Sequence, residues 1–346
     1  MKKRLFSILL ALLLLPCVFF TTACKKPNNN NPQEPAQTEF VYEKTSDGEY
    51  IYFGYYPQTI KSHTVTVSQT PDINGYYLGS DGEKYVKQVA TYVNTEGSMT
   101  VDYYEDKQNI LSDGQEMTLG ESYYFKLEKL KWRILKEESG RALIMCVNNI
   151  STVEYQKYYD YSTYSAKNAD GTFIYDEDGT TTVSANNYKY SVLRDFLTNS
   201  FYNQAFTQKQ KAKINLTTVV NNNAGVNSCA NTTDYVFALS VEELTNEEYG
   251  FSSNIEDCDS LRNFVTTDYA KATGAFTITS EWAAMNAWNI DGIENIIGSG
   301  NVWTRTPYDS ADVYARSLAH SCNLGRVCGD EVQIPWGTAP ALYINL

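Results

Sequence analysis

Between Leu5 and Phe20 the chain is apolar and uncharged, directly behind a basic cluster of Lys2, Lys3 and Arg4. Such a segment cannot form the surface of a folded domain, and its handling by the cell decides where the rest of the chain folds. A membrane-spanning helix needs about 20 apolar residues. This run is shorter and is interrupted by Pro16, so residues 1–23 read as a signal peptide that directs export. Behind it come Pro27, an unbroken Asn run from Asn28 to Asn31, Pro32 and Pro35. That composition has nothing to bury, so residues 24–40 are expected to be a solvated, disordered tether.

The apolar run closes on Thr21-Thr22-Ala23-Cys24, which resembles the bacterial lipobox, with Thr21 in place of the usual leucine. The resemblance implies lipidation at Cys24 and a chain held by lipid on the extracytoplasmic side of a cell membrane or outer membrane. Export also lets thiols oxidise. Of seven cysteines, Cys17 leaves with the signal and Cys24 carries lipid. Cys146 lies in an apolar run and reads as a buried thiol acting as a small hydrophobe. Cys322 and Cys328 flank the turn-like Asn323-Leu324-Gly325-Arg326 and are expected to form a disulfide; Cys229 and Cys258 are a further candidate pair. There is no CxxC, and His63 and His320 are the two histidines, so no metal site and no cofactor is expected.

A net charge of -13, with no Lys/Arg cluster beyond the first four residues, argues against a nucleic-acid partner, because phosphate neutralisation needs clustered cations. Tyrosine is in surplus, 28 against 14 Phe and 5 Trp. Tyr suits half-buried strands, and Tyr-rich surfaces also bind sugars and proteins.

From residue 41 onward the pattern is short strands, then helices, then strands, with no internal linker. It predicts a single α+β domain over 41–346, with a mainly antiparallel sheet, a few short helices and loop insertions near 60–75, 91–120 and 160–187. Strands are expected at 49–53 (ended by Gly54 and Pro57), 123–125, 131–135, 141–147, 235–239, 302–305, 313–318 and 341–346. Three Ser-Asp-Gly triplets, at 46–48, 80–82 and 112–114, signal tight turns. Asp176 to Gly179 reads as a hairpin turn, since the ligand ladder of a calcium loop is absent. Leu193, Phe196, Leu197, Phe201 and Ala205 form one apolar stripe and predict a helix over 191–206. Thr207 caps a short helix through 213, and Ser240 with Glu243 makes a capping box. Further helices are expected at 259–272 and 280–288.

The order of segments resembles an uncharacterised domain family common in bacterial lipoproteins, domain of unknown function 6273, over roughly 50–346. The segments that carry the resemblance are Gly75 to Gly82 with Tyr85, Tyr123 to Lys126, Lys131 to Leu135, Ser191 to Arg194 and Phe201 to Asn203. Val236 to Ser240 and Thr267 to Ala270 follow. Trp303, Arg305 and Pro307 stand in a motif usually written WWLRSP, and Gly337, Pro340, Ala341 and Leu342 where the family has GVRPAL. Val302 and Ala339 depart from those patterns. The resemblance implies no known activity. Its terminal pattern is distantly similar to the C-type-lectin-like fold of formylglycine-generating enzymes, and fold does not settle function.

His320-Ser321-Cys322 is the one place where a nucleophile and a base meet, and on a strand His320 and Ser321 would point to opposite faces. Trp303 beside Arg305 has two readings. An exposed pair would stack a sugar or hold an acidic partner; a buried pair would be core, with Arg305 on a carboxylate such as Asp309 or Asp312. The buried reading is preferred, and more strongly for Trp132 and Arg133. Arg194 lies off the helix stripe and is expected to pair with Asp195 or a loop carboxylate. The chain is accordingly expected to be a membrane-anchored, non-catalytic binding module for a glycan or protein, with Trp303, Arg305 and Trp336 as candidate ligand residues. One alternative is an enzyme, or degenerate relative, of the formylglycine-generating type using Cys322 and Cys328. The other is a structural envelope protein.

Overall fold

The longest strand, Ser122–Glu138, runs 17 residues and organises the molecule. In the computed structural model, which describes residues 40–91, 108–221, 229–254, 259–286, 293–308, 314–319 and 326–346, it pairs antiparallel with Tyr50–Ile60 on one side and with Arg141–Cys146 on the other. Beyond Arg141–Cys146 lie Pro340–Asn345 and then Phe237–Ala238. Lys84–Val89 joins the first half of the long strand. The result is a nine-stranded antiparallel sheet with the long strand near its centre and the chain's last strand one in from the edge. Arg141–Cys146 is buried at five of its six positions, as its continuous apolar sequence requires for a strand covered on both faces.

A second, five-stranded sheet has the order Arg326–Glu331, Tyr314–Ala319, Val302–Pro307, Pro335–Gly337, Thr152–Glu154. Val302–Pro307 is buried at every position. The helices are short, so the architecture is α+β with mostly antiparallel sheets, as the sequence pattern predicts. Val41–Leu346 forms one unit, and one apolar cluster joins the two sheets through Trp132, Tyr155, Phe201, Trp303 and Trp336.

The predicted 191–206 helix is present as a continuous run from Val192 to Ala205, but its middle, Phe196–Phe201, is a π-helix. Leu193, Leu197, Phe201 and Ala205 are all buried. Residues four apart drift around an α-helix; the wider i→i+5 turn brings them back toward one line. The stripe lands on the sheet: Phe206 lies 4.9 Å from Phe53 and 6.3 Å from Trp132, whose Nε1 donates to Phe53 O at 2.7 Å. Ser191 accepts from Arg194 N as the cap.

Two element expectations are corrected. Gly54 and Pro57 do not end the first strand. Pairing with the long strand shifts register near both positions, and the strand continues to Ile60. Residues 259–272 do not form one helix. A single turn at Ser260–Arg262 is followed by the strand Phe264–Thr266 and the helix Asp268–Ala272. Phe264 and Val265 find strand partners in Gly300 and Ser299, and Val265 also in Asn148.

Candidate functional site

The tryptophan motif is interior. Trp303 is 2% exposed; its Nε1 donates to Val153 O at 3.0 Å and its ring meets Tyr155 edge-on at 5.5 Å. Arg305 is buried; it pairs with the Glu243 carboxylate and donates to Ala238 O at 2.8 Å and Val220 O at 3.2 Å. Tyr155 closes the arrangement, its hydroxyl donating to Arg305 O at 3.3 Å, and burial pushes that hydroxyl far above its ordinary pKa. Trp336 is buried against Phe276. All three candidate ligand residues, Trp303, Arg305 and Trp336, are thus buried: the preferred buried reading of Trp303 and Arg305 fits, and the ligand-surface reading of the three is corrected. Among the described residues the carboxylate on Arg305 is Glu243; Asp309 and Asp312 lie outside them.

Other expected positions are placed as follows. Cys24 and Cys322 lie outside the described residues, while Cys328 sits on its strand opposite Ser317. Cys146 is a free thiol, pushed up to about 12 by burial. Cys229 is also free and buried, with Sγ donating to Asn187 Oδ1 at 3.0 Å; Cys258 is outside the described residues. Arg194 grips the buried Asp234, Nη2 donating at 2.6 Å and Nε at 2.9 Å. Asp47, Asp81 and Asp113 each accept the backbone N–H two residues on, ahead of or across a Gly of positive φ, which is the turn the triplets predict.

The exposed aromatic groups gather in the insertion near 160–187. There, Lys157, Tyr158, Tyr159, Tyr161, Lys167 and Asn168 line an open cleft of about 270 Å³. Its floor is set by backbone pairing: Tyr159 bridges Ala166, and Lys167 N donates to Tyr158 O at 2.8 Å. The turn between them is tied by Asp160, whose carboxylate accepts from Ser162 N at 3.0 Å and Thr163 N at 3.1 Å and from Lys167 Nζ at 2.7 Å. These bonds, that from Lys167 foremost, hold Asp160 well below the usual carboxylate range. Tyr164 completes the turn at φ 53°, a left-handed conformation costly for a residue with a Cβ, and its N–H donates to Asp160 O. Tyr159 is buried under the cleft. Tyr161 lies 4.7 Å from it, with its hydroxyl donating to Gln333 Oε1 at 2.9 Å.

The lining carries tyrosine rings, ammonium groups and an amide, but no nucleophile with a base and no carboxylate. What it offers is ring faces, hydrogen-bond donors and positive charge. Among the described residues no group of three His, Cys, Asp or Glu is placed to hold a metal. Sequence reasoning noted the tyrosine surplus without locating it. The signal was local density, since Tyr155, Tyr158, Tyr159, Tyr161 and Tyr164 fall within one short stretch.

The family model for Domain of unknown function (DUF6273) matches residues 167–344. The chain belongs to the DUF6273 family. No curated protein and no solved structure matches the chain, and the C-type-lectin-like likeness expected from the terminal motif gains no support from these comparisons. Within DUF6273 the motif residues of this chain are packing positions. Trp303, Ala341 and Leu342 are buried, and a Cβ on Gly337 would stand 2.1 Å from Asn149 Nδ2. The departure at Val302 is also a buried position. The cleft straddles the start of the DUF6273 match: Lys167 and Asn168 fall inside it and Lys157 to Tyr161 before it.

Proposed function

We propose that this DUF6273 chain is a lipid-anchored, extracytoplasmic binding module that takes a glycan in the tyrosine cleft without transforming it. The observation that carries the reading is Tyr161. It is 69% exposed, yet its hydroxyl is held by Gln333 and its ring leans on Tyr159. A large aromatic face kept in water, with its torsions already fixed, favours association because little side-chain freedom is lost on binding. Sugar rings offer an apolar face to stack on it, and Lys157, Lys167 and Asn168 supply polar contacts for hydroxyls. The anchor and tether support an outward-facing placement. Among the described residues no helix is long and apolar enough to cross a membrane.

A purely structural envelope role accounts for buried Trp303 but not for an open aromatic cleft. A formylglycine-generating type of chemistry would act through Cys322 and Cys328, and the cleft contributes nothing to it. The test is a glycan panel probed with the full chain in detergent. Binding is expected, with Tyr161→Ala and Tyr158→Ala each weakening it about tenfold, or 1.4 kcal/mol, while the melting temperature stays within a few degrees of the parent. Absence of any glycan binder, or binding indifferent to both substitutions, rejects the reading.

A further inference from the structure

Resting on the glycan reading above, we infer that the saccharide taken by the tyrosine cleft carries an anionic group, a carboxylate or a phosphate, held by Lys157 and Lys167 while its ring lies on Tyr161. The chain has 41 acidic residues against 28 basic ones, so its surface as a whole repels anions. The cleft inverts that balance: the charged residues that line it are Lys157 and Lys167, with no acidic residue among the lining.

The counter-ions sit behind the lining. Asp160 turns its carboxylate toward its own loop, where Ser162 N, Thr163 N and Lys167 Nζ occupy it. Its hold on Lys167 takes one N–H of an ammonium that has three, and positions the side chain across the Phe173 ring at 4.7 Å. Lys167 is thus a fixed, partly shielded cation, with 23% of its side chain exposed. Lys157 is half-exposed and stands 3.5 Å from Glu154, a separation longer than a normal charged hydrogen bond. It is the more exposed and more loosely paired of the two cations, and so the readier to exchange its partner for a ligand anion. An aromatic platform flanked by cations selects a ligand with an apolar ring face and a negative charge on its rim, which neutral sugars and plain anions each satisfy only in part.

Titration calorimetry on the full chain in detergent decides between sources of the charge, using neutral maltotetraose, tetragalacturonate, maltotetraose bearing a terminal phosphate, inorganic phosphate and polyglutamate. One of the two anionic saccharides is expected to bind at least about tenfold more tightly than maltotetraose, with the advantage shrinking as salt rises from about 50 to about 300 mM. Which of the two it is identifies carboxylate or phosphate. Lys157→Met and Lys167→Met should each erase most of the advantage, and the arginine variants should keep it. If Lys167→Met melts early, Lys157→Met and Lys167→Arg still decide. Tyr161→Ala should weaken every saccharide, charged or not. Equal binding of maltotetraose, or a preference untouched by the lysine variants, overturns the anionic inference and leaves the glycan reading standing. Binding of polyglutamate or phosphate with no saccharide bound overturns both, as does silence from every probe.

Discussion

Arg305 shows what a motif residue does when its strand is covered on both faces. Its guanidinium is shared among Glu243, Ala238 O and Val220 O, so it ties the second sheet to the loop at 220 and to the capped helix Val241–Leu244. Breaking a buried pair by removing one partner costs about 3–5 kcal/mol, because the other charge is left unpaired in the interior. Arg305→Ala is expected to lose that much in urea unfolding. Glu243→Gln should lose less, since its amide still accepts from Arg305. The two losses should not sum in the double variant, because both remove one interaction. A loss under about 1 kcal/mol for Arg305→Ala would mean that the guanidinium is solvated. The sequence favoured the interior for Trp303 and Arg305 but could not settle it against an exposed pair. A half-buried strand alternates apolar and polar residues, whereas Val302–Pro307 is buried at all six positions, so its Thr and Arg give no phase to read. The tyrosine cleft was hidden for the opposite reason, as its rings are gathered by a loop whose bridges join residues that no periodicity links.

Elements whose causes are local were legible. The expected cap at Thr207 and box of Ser240 with Glu243 are both present, the first completed as a box by Gln210, because a cap is decided within four residues. The strand Phe264–Thr266 was not legible, since its partners Ser299, Gly300 and Asn148 are distant in sequence, and the local pattern alone resembled a helix. Gly54 is the sharper case. It looked like a strand end, yet it is the point where the strand bulges to let Phe206 approach. Its φ is +74°, and a Cβ there would stand 2.6 Å from the Phe206 ring and 2.9 Å from Ala205 O. Gly82, at φ +83°, has nothing within 4 Å of that position. Both alanine substitutions meet the left-handed penalty of roughly 1–2 kcal/mol, but Gly54→Ala adds an overpacking cost of about 1–3 kcal/mol. Denaturant melts should therefore rank Gly54→Ala clearly below Gly82→Ala. Equal losses would remove the helix–strand contact at Phe206 from the account.

At the scale of the whole molecule, charge and turns pull in opposite directions as pH falls. The chain carries -13 at neutral pH with a pI near 4.7, so acidification toward the pI relieves self-repulsion. The turns resist this gain. Asp47, Asp81, Asp160, Asp170 and Asp178 all titrate below the ordinary carboxylate range, the foremost cause in each being a hydrogen bond to the carboxylate, from Thr45, Tyr85, Lys167, Thr172 and Thr181 in that order. A carboxylate depressed in the folded state stabilises fully above its unfolded pKa of about 4, and that stabilisation is lost as pH falls through the lower folded value. Repulsion between exposed charges is screened beyond about 8 Å at physiological salt, whereas these bonds act at contact, so the turns should win. The melting temperature is expected to hold or rise slightly from pH 7 to about 5 and to drop below about pH 4. Asp160→Asn should flatten part of that drop, because an amide does not titrate. A melting temperature that keeps climbing below the pI, or an Asp160→Asn profile parallel to the parent, would show that these carboxylates are not held by the folded turns.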